Sequence, residues 1–371
     1  MTKKKKILSI VLLSLLTLLI CLTAVHLIGD NYAMDYAMSI NAQSVNDGVS
    51  FTKSADGSPA TVTTEDGTLK ILQLSDTHIV ASLFTRGTDR QALDAVNDIV
   101  TATRPDLVII TGDMTYSTPP LGNVDNSKAY KALATLMEKF EIPWTVTYGN
   151  HDQDPFNFYN TATQTEYYSS LEHCLLYSAD VSEGEGNHIV MFNNGDGSAN
   201  TALFMLDCRG YSFFPFKYAH IGDAQAEWYK ECVTELNNVQ SLVFTHTPLY
   251  EYRTALSLYK SGSDEVQYLH GAFDKRVASS DTAGKMFQYI VELGSTKAVF
   301  CGHDHTDNWA LKYKGVALCY GMSIDCIAYP GIALRTEQRG GRLIEIDSAG
   351  TITLSLVPQT NNYQPTQPVV L

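Results

Sequence analysis

The sequence lacks the paired cysteines that build small zinc or disulfide-stapled domains. Its seven cysteines are scattered with no Cys-x-x-Cys pair, so neither a zinc knuckle nor a disulfide framework is indicated. Most of them lie in apolar runs, which is typical of small buried side chains. We therefore expect free, buried cysteines, and a Cys319–Cys326 bridge is the alternative if the domain is exported. The chain also has no repeat of fixed period, which argues against a repeat architecture.

Positive charge is scarce as well. The 371 residues carry 26 basic and 40 acidic side chains, a formal net charge of −14. Four of the basic residues are Lys3 to Lys6 and no acidic residue precedes Asp30, so the remainder has 22 basic and 40 acidic residues, or −18. Binding to long nucleic acids relies on a surplus of cations, so this composition disfavours a nuclease. A small phosphorylated substrate stays compatible with it, because bound metal ions would supply local positive charge.

One long apolar run stands out near the N-terminus. Ile7 to Gly29 reads ILSIVLLSLLTLLICLTAVHLIG, long enough to cross a bilayer core of about 30 Å as a helix. A cleaved signal peptide has a shorter core and a small-x-small site, and no Ala-x-Ala occurs here. We predict that residues 1–29 form an uncleaved signal anchor in the cell membrane. The lysines then stay cytoplasmic and the large domain that follows is extracytoplasmic; secretion after cleavage is the alternative.

The rest of the chain divides by composition. Residues 30–68 are polar, and we predict that they form a linker. We predict that residues 69–357 form the domain proper and that residues 358–371 form a flexible tail. Near-continuous apolar strands alternate with amphipathic helices from residue 69 to 148, which is typical of buried parallel strands. Later strands are more antiparallel. The pattern predicts an α/β fold: a four-layer α-β-β-α sandwich of two mixed sheets, preceded by a transmembrane helix.

Five short polar motifs follow predicted strands of this domain. They are Asp76-Thr77-His78, Gly112-Asp113, Gly149-Asn150-His151-Asp152, Thr245-His246 and Gly302-His303-Asp304-His305. Taken singly, each is compatible with an ordinary turn aspartate or a histidine at a strand end. Taken together, they place oxygen and nitrogen donors at the carboxyl ends of strands, where open α/β sheets bind ligands. We expect them to converge on a metal site.

These motifs resemble the D-x-H, G-D, G-N-H-D, H and G-H-x-H set of the calcineurin-like metallophosphoesterase superfamily, over roughly residues 69–347. Within it, the chain is most similar to a purple acid phosphatase-like branch. The resemblance implies two metal ions, Mn, Fe or Zn. It implies one ion on Asp76, His78, Asp113 and His305, a second on Asp113, Asn150, His246 and His303, and His151 as the proton donor.

The chain departs from two better-known patterns of this superfamily. Protein Ser/Thr phosphatases have Asp and then Arg-Gly after the G-D motif, whereas this chain has Met114-Thr115-Tyr116-Ser117. Purple acid phosphatases begin with D-x-G and use a ligating tyrosine at the position of Tyr116. Since His78 takes the ligand place here, we expect Tyr116 to pack beside the site and the protein not to be purple.

The implied activity is hydrolysis of a small phosphoester by a bridging hydroxide, with Asp152 or Asp304 orienting a histidine. One alternative is a cyclic-nucleotide or nucleotide phosphodiesterase that uses the same metal centre. A non-enzymatic alternative is an adhesin or receptor whose metal site is catalytically inactive. Residues 248–281 are expected to form an insertion that shapes substrate choice. Arg86 and Arg253 are candidate phosphate clamps, and the alternative is that both are exposed, solvated arginines. No protein partner can be inferred.

Overall fold

Two large mixed sheets form the body of the molecule in the computed structural model, which describes residues 3–55, 57–118, 122–213, 216–274 and 276–371. The six-stranded sheet has, in spatial order, β17 (Val369–Val370), β16 (Ile352–Pro358), β15 (Gly340–Ile346), β3 (Leu69–Leu74), β4 (Leu107–Thr111) and β5 (Trp144–Thr147). Its β3, β4 and β5 are parallel, as the apolar β-α-β-α-β pattern predicted.

The second sheet has nine strands. In spatial order they are β1 (Val49–Thr52), β2 (Ala60–Thr64), β6 (His188–Asn193), β7 (Ala199–Met205), β10 (Gln240–Phe244), β12 (Thr296–Cys301), β14 (Val316–Tyr320), β13 (Ala310–Tyr313) and β11 (Val266–His270). A separate two-stranded ribbon contains β8 (Tyr211–Phe213) and β9 (Phe216–Tyr218).

The helices of the described residues are α1 (Lys3–Ile28), α2 (Tyr32–Ser39), α3 (Arg86–Thr103), α4 (Ser127–Glu138), α5 (Thr161–Ser169), α6 (Asp223–Glu235), α7 (Tyr250–Lys260) and α8 (Met286–Leu293). α1 is exposed over Lys3–Ala24, whereas each of the other helices buries side chains against the core. α2, α3 and α4 pack together, and so do α6 and α8. Three short 3-10 turns lie at Ile332–Leu334, Thr336–Gln338 and Gln359–Asn361.

Strand alternation explains the four layers. In β10, Leu242 and Phe244 belong to the hydrophobic cluster between the two sheets, whereas Val243 points to the cluster under α6, α7 and α8. β12 divides in the same way, with Phe300 inside and Val299 outside. Because successive side chains of a strand face opposite sides, a sheet covered on both faces needs an uninterrupted apolar run. The predicted fold class is thereby confirmed.

The predicted linker over residues 30–68 is not what the structure shows. Ala33 and Ala37 of α2 are fully buried against the flanking helices, and Lys139 donates hydrogen bonds to three carbonyl oxygens at the end of α2. The later part supplies β1 and β2, the edge of the nine-stranded sheet. β1 is the edge strand and β2 lies between it and β6; in β2, buried residues alternate with half-buried threonines, which explains the polar sequence.

Two other expectations also need correction. The predicted flexible tail over residues 358–371 contains β17, which pairs with β16, and Tyr363 is buried. Residues 248–281 are not wholly a surface insertion, because Tyr252 and Ala255 of α7 are buried in the core and β11 closes one edge of the nine-stranded sheet. In both places a few anchoring side chains are sufficient to order a polar sequence.

α1 contains a stretch, Lys3–Ala24, that is long and apolar enough to cross a membrane and is wholly unburied in the fold. A signal sequence near an N-terminus passes the same test of length and composition. All seven cysteines lie in the described residues and all are free.

Candidate metal centre

The polar residues that follow five strands meet at one edge of the two sheets. Asp76 and His78 come after β3, Asp113 after β4, and Asn150 and His151 after β5. The nine-stranded sheet contributes the loops after β10 and β12, with His246, His303 and His305. The seven predicted ligands are all buried, and the side chain of His151 is 17% exposed.

Four of these residues form a first donor group, namely Asp76, His78, Asp113 and His305, whose ligand atoms all lie within 4.8 Å of one another. Nε2 of His305 is 3.1 Å from Oδ1 of Asp76, and Nε2 of His78 is 3.2 Å from Oδ2 of Asp113. This mixture of carboxylate and imidazole donors suits Zn, Mn or Fe.

Asp113 belongs to a second donor group as well, with His246 and His303. Nε2 of His246 is 3.1 Å from Oδ2 of Asp113 and 3.2 Å from Nδ1 of His303. One carboxylate therefore faces both groups. Such sharing is the geometry that a bridging ligand between two cations requires.

Asn150 lies between two residues that contact Asp113. The backbone N–H of His151 donates to Oδ1 of Asp113 at 2.8 Å, and a Cβ on Gly149 would come within 2.1 Å of the same atom. The Asn150 amide Nδ2 donates to the hydroxyl of Tyr211 at 2.7 Å, and its Oδ1 is buried without a hydrogen-bond partner. An orphaned buried oxygen is costly unless something binds it.

The electrostatics of the centre fit a pair of cations. Oδ1 of Asp76 and Nδ1 of His78 are also buried without hydrogen bonds. Burial opposes charge on Asp76, but the neighbouring His305 outweighs it and lowers the pKa of Asp76 to about 2. Burial and the adjacent His246 lower the pKa of His303 to about 3. Burial opposes charge on His246 and His305 as well, but the nearby carboxylates outweigh it, raising the pKa of His246 to about 9 and that of His305 above its usual value. Without metals these two imidazoles therefore carry protons, which must be released when cations bind.

Hydrogen bonds fix the orientation of three histidines. Nδ1–H of His246 donates to the carbonyl of Thr111 at 2.7 Å, which leaves Nε2 free to ligate. Nδ1–H of His305 donates to Oδ2 of Asp325 at 2.8 Å, and Nδ1 of His151 pairs with Oδ2 of Asp154 at 2.9 Å. Such outer partners set the tautomer and ring orientation of a ligating histidine.

The orienting carboxylates are therefore not the two that the sequence suggested. Asp152 accepts hydrogen bonds from the backbone N–H groups of Gly149 and Thr115, and so it holds the loop rather than a histidine. Asp304 accepts from the hydroxyl of Tyr320 and the N–H of Ala278. Asp154 lies three residues after His151, a spacing that could have signalled it, whereas Asp325 lies in a loop after β14 with no motif around it.

Aromatic rings surround the donors. The ring of Tyr116 stacks on His78 with centroids 5.2 Å apart and also contacts His151. Tyr218 packs edge-on against His303 and Tyr329 against His305. These rings reduce contact of the imidazoles with water. Sequence reasoning missed Tyr211 and Tyr218, which belong to the short two-stranded ribbon of β8 and β9, and Tyr329, which lies in a loop.

The two arginines considered as phosphate clamps are engaged elsewhere. Arg86 forms an ion pair with Asp30 at 2.7 Å, and Arg253 pairs with Asp281 at 3.0 Å and donates to the carbonyl of Ser279. The clamp is therefore not formed in the structure.

The chain belongs to the calcineurin-like phosphoesterase family, whose family model matches residues 69–307. Two proteins of Arabidopsis thaliana are similar to it: "Probable inactive purple acid phosphatase 28", 27% identical over 71% of this chain and 72% of the relative, and "Probable inactive purple acid phosphatase 14", 26% identical over 69% and 70%. "Phosphatase DCR2" of Saccharomyces cerevisiae is 26% identical over 70% of this chain and 48% of its own length.

Among solved structures, a dimetal phosphatase from Danio rerio matches the fold with a TM-score of 0.52 at 12% identity, covering 81% of this chain and 98% of that one. The relatives confirm the purple acid phosphatase-like branch. The family and the His/Asp cluster together define a metallophosphoesterase and imply two metal ions.

Proposed function

We propose that this protein hydrolyses small phosphoesters at a dinuclear centre. One ion is held by Asp76, His78, Asp113 and His305, and the other by Asp113, Asn150, His246 and His303. The observation that carries the proposal is the sharing of Asp113 between two buried donor groups. The orphaned Oδ1 of Asn150 supplies the remaining oxygen for the second ion. The centre offers no thiolate donor, so we propose Mn, Zn or Fe.

When bound, two such cations supply Lewis acidity and lower the pKa of water toward neutrality. The chain's own contribution to proton transfer is His151. Its Nδ1 is held by Asp154, which also accepts a hydrogen bond from Thr118 at 3.0 Å. The proton available for a leaving oxygen is therefore the one on Nε2, and the His151 backbone is fixed by its bond to Asp113. These contacts support His151 as the general acid.

The Arabidopsis relatives are named as probably inactive, and a dead binding site is the competing function. This chain keeps a full set of donors and also a histidine oriented by a carboxylate beside them. A site that only binds a ligand does not need a histidine oriented by a carboxylate for proton transfer. We therefore favour catalysis.

The proposal is tested with the full-length chain in detergent, stripped of metal and reloaded with manganese. We expect hydrolysis of p-nitrophenyl phosphate that requires metal and is lost in Asp113→Asn, while Asp196→Asn, in an exposed turn, keeps wild-type activity. A faster rate on the bis-p-nitrophenyl ester would favour the phosphodiesterase alternative. Activity that is absent on both esters, or equal in Asp113→Asn, would contradict the proposal.

We further propose that α1 anchors the protein in the cell membrane with Lys3 to Lys6 on the cytoplasmic side and the catalytic domain outside. The basis is the lysine cluster at the start of an apolar helix whose described stretch Lys3–Ala24 is wholly unburied. Cleavage as a signal peptide is the alternative. The intact mass of the membrane-extracted protein separates the two, because cleavage removes the apolar segment.

A further inference from the structure

Four large apolar side chains project into solvent beside the metal centre. Leu83, Phe84, Phe156 and Phe158 are 44%, 58%, 51% and 68% exposed, and we call them the rim patch. Leu83 and Phe84 lie on the loop that continues from His78, and the two phenylalanines on the loop that continues from His151. Neighbouring exposed aromatic groups mark an interaction surface more often than scattered single ones do.

Hydrogen bonds hold the two loops together. The N–H of Phe158 donates to the carbonyl of Val124 at 2.9 Å, and the side chain of the preceding Asn123 donates to the carbonyl of Ala81 at 3.2 Å. Asn157 donates to the carbonyl of His151 at 3.1 Å. These bonds link the two loops that carry the rim patch through Asn123 and Val124, and they connect the second loop to His151.

The apolar helix joins the fold at this same surface. Immediately after α1, the N–H of Asp30 donates to the carbonyl of Ala81 at 2.9 Å, and its carboxylate pairs with Arg86 at 2.7 Å. Gly29 has a φ of +64°, and a Cβ there would come within 2.3 Å of the Asn123 amide nitrogen. The connection is therefore packed tightly, with no slack chain between helix and loop.

Chain length then fixes the distance to a membrane. The apolar stretch ends at Ala24, and Asp30 is bonded beside Ala81. Six residues span at most about 20 Å even when fully extended. An anchored α1 would therefore keep Asp30 within that distance of the bilayer surface, and with it Ala81, two residues before Leu83 of the rim patch.

We propose that the rim patch docks on the lipid bilayer, so that the metal centre opens onto the membrane surface. Phenylalanine and leucine at an interface bury apolar area at the boundary between headgroups and acyl chains. The bilayer is the occupant that the structure favours, because the membrane helix emerges at this patch. Arg86, two residues after Phe84, is paired with Asp30, so we expect the docking to be apolar and not to need anionic lipid.

The test uses the full-length chain in phosphatidylcholine vesicles that contain brominated lipid, a quencher of tryptophan fluorescence. We expect the added emission of Phe84→Trp to be quenched several-fold more than that of Val291→Trp. Val291 is 38% exposed on α8, which covers the other sheet, and serves as the matched control. Equal, weak quenching of both variants would overturn the proposal.

A second variant tests whether the rim patch itself, rather than misfolding or an accidental contact of the introduced tryptophan with lipid, causes the quenching. Adding Phe156→Ser and Phe158→Ser to the Phe84→Trp chain removes half of the patch, and we expect the quenching to fall toward the Val291→Trp level. Unchanged quenching would mean that the patch does not drive docking. A mature chain that begins after residue 29 and fails to float with vesicles would overturn the proposal as well.

None of these measurements uses turnover. An inactive protein whose Phe84→Trp emission is quenched would support the docking surface while contradicting the proposed chemistry. An active protein whose introduced tryptophan is not quenched would support the proposed chemistry and contradict the docking surface.

Discussion

Four of the proposed ligands adopt a backbone conformation that their residue types rarely occupy. Asp76, His78, Asp113 and His303 have φ values of 56°, 45°, 52° and 76°. Left-handed backbone at non-glycine residues costs on the order of 1–3 kcal/mol each and persists only where the surroundings enforce it. Here the N–H groups of Asp76 and His78 donate to the carbonyls of Gly112 and Asp113. The fold therefore holds these residues in a destabilising backbone conformation that directs their side chains into the proposed metal centre.

His151→Ala separates metal binding from proton transfer. We expect two metals per chain to remain, because His151 belongs to neither donor group. Turnover of an alkyl phosphate should fall by about 10²–10⁴-fold, since its leaving oxygen needs a proton, and turnover of p-nitrophenyl phosphate should fall less. The measurement is kcat on both substrates, with metal content by elemental analysis and His220→Ala as control. An undiminished rate on the alkyl ester would remove His151 from the acid role.

Asp325→Asn tests the carboxylate behind the first donor group. Asp325 accepts a hydrogen bond from Nδ1 of His305 at 2.8 Å and so orients that imidazole, while its other oxygen lies 3.8 Å from Nδ1 of His78. We expect metal affinity, measured by competition with a chelator, to fall by about 10–100-fold. Asp347→Asn, in the turn before β16, should bind metal like wild type. An unaltered affinity in Asp325→Asn would show that the pairing is only structural.

The ligands were predictable from sequence, but most of their supporting residues were not. Asp-x-His and Gly-Asn-His-Asp are short, local patterns, so their capacity to bind metals can be recognised without knowledge of the fold. Asp325 and Tyr211 act through contacts with His305 and Asn150 that span 20 and 61 positions of the chain. Nothing local marks such residues.

At the scale of elements, apolar runs located the buried strands well. The apolar runs predict strands at Leu69–Leu74 and Val316–Tyr320, and β3 and β14 have these bounds because continuous apolar side chains end abruptly at polar loops. The missed elements are weakly patterned. β1 buries only alternate residues, and α2 is short with its buried face made of alanines. Tertiary contacts rather than local preference stabilise such elements.

The packing of α2 gives a direct test of whether residues 30–68 are folded. Ala37 is fully buried and its neighbour Met38 is 54% exposed. Ala37→Asp buries an unpaired carboxylate, so we expect the free energy of unfolding in urea to fall by several kcal/mol. Met38→Asp should change it by less than about 0.5 kcal/mol. Equal tolerance of both substitutions would restore the linker interpretation.

At the scale of the whole molecule, one histidine connects the two sheets. His188 of β6 is fully buried, and its Nε2 is hydrogen-bonded to the hydroxyl of Thr145 in β5 at 2.6 Å. Its Nδ1–H donates to the carbonyl of Gly186. Burial lowers the pKa of His188 to about 4, so the side chain is neutral in the folded protein near neutral pH.

This burial links stability to pH. The unfolded chain takes up a proton at His188 as the pH falls through about 6.5, whereas the folded chain does so only near pH 4. Acidification between these values therefore stabilises the unfolded state, by roughly 3 kcal/mol in total. In His188→Gln we expect the loss of unfolding free energy between pH 6.5 and 4 to be smaller by that amount.

The measurement is urea unfolding across this pH range in the presence of a chelator, with His220→Gln as the control. His220 is only half-buried, in the loop before α6. A pH dependence that is identical in wild type and His188→Gln would contradict the account.

The central claim is that two cations share Asp113, and diffraction at the manganese absorption edge tests it most directly. In crystals of the manganese-loaded protein, we predict two anomalous peaks about 3.5–4 Å apart, one on each side of the Asp113 carboxylate. A single peak, or manganese bound away from Asp113, would contradict it.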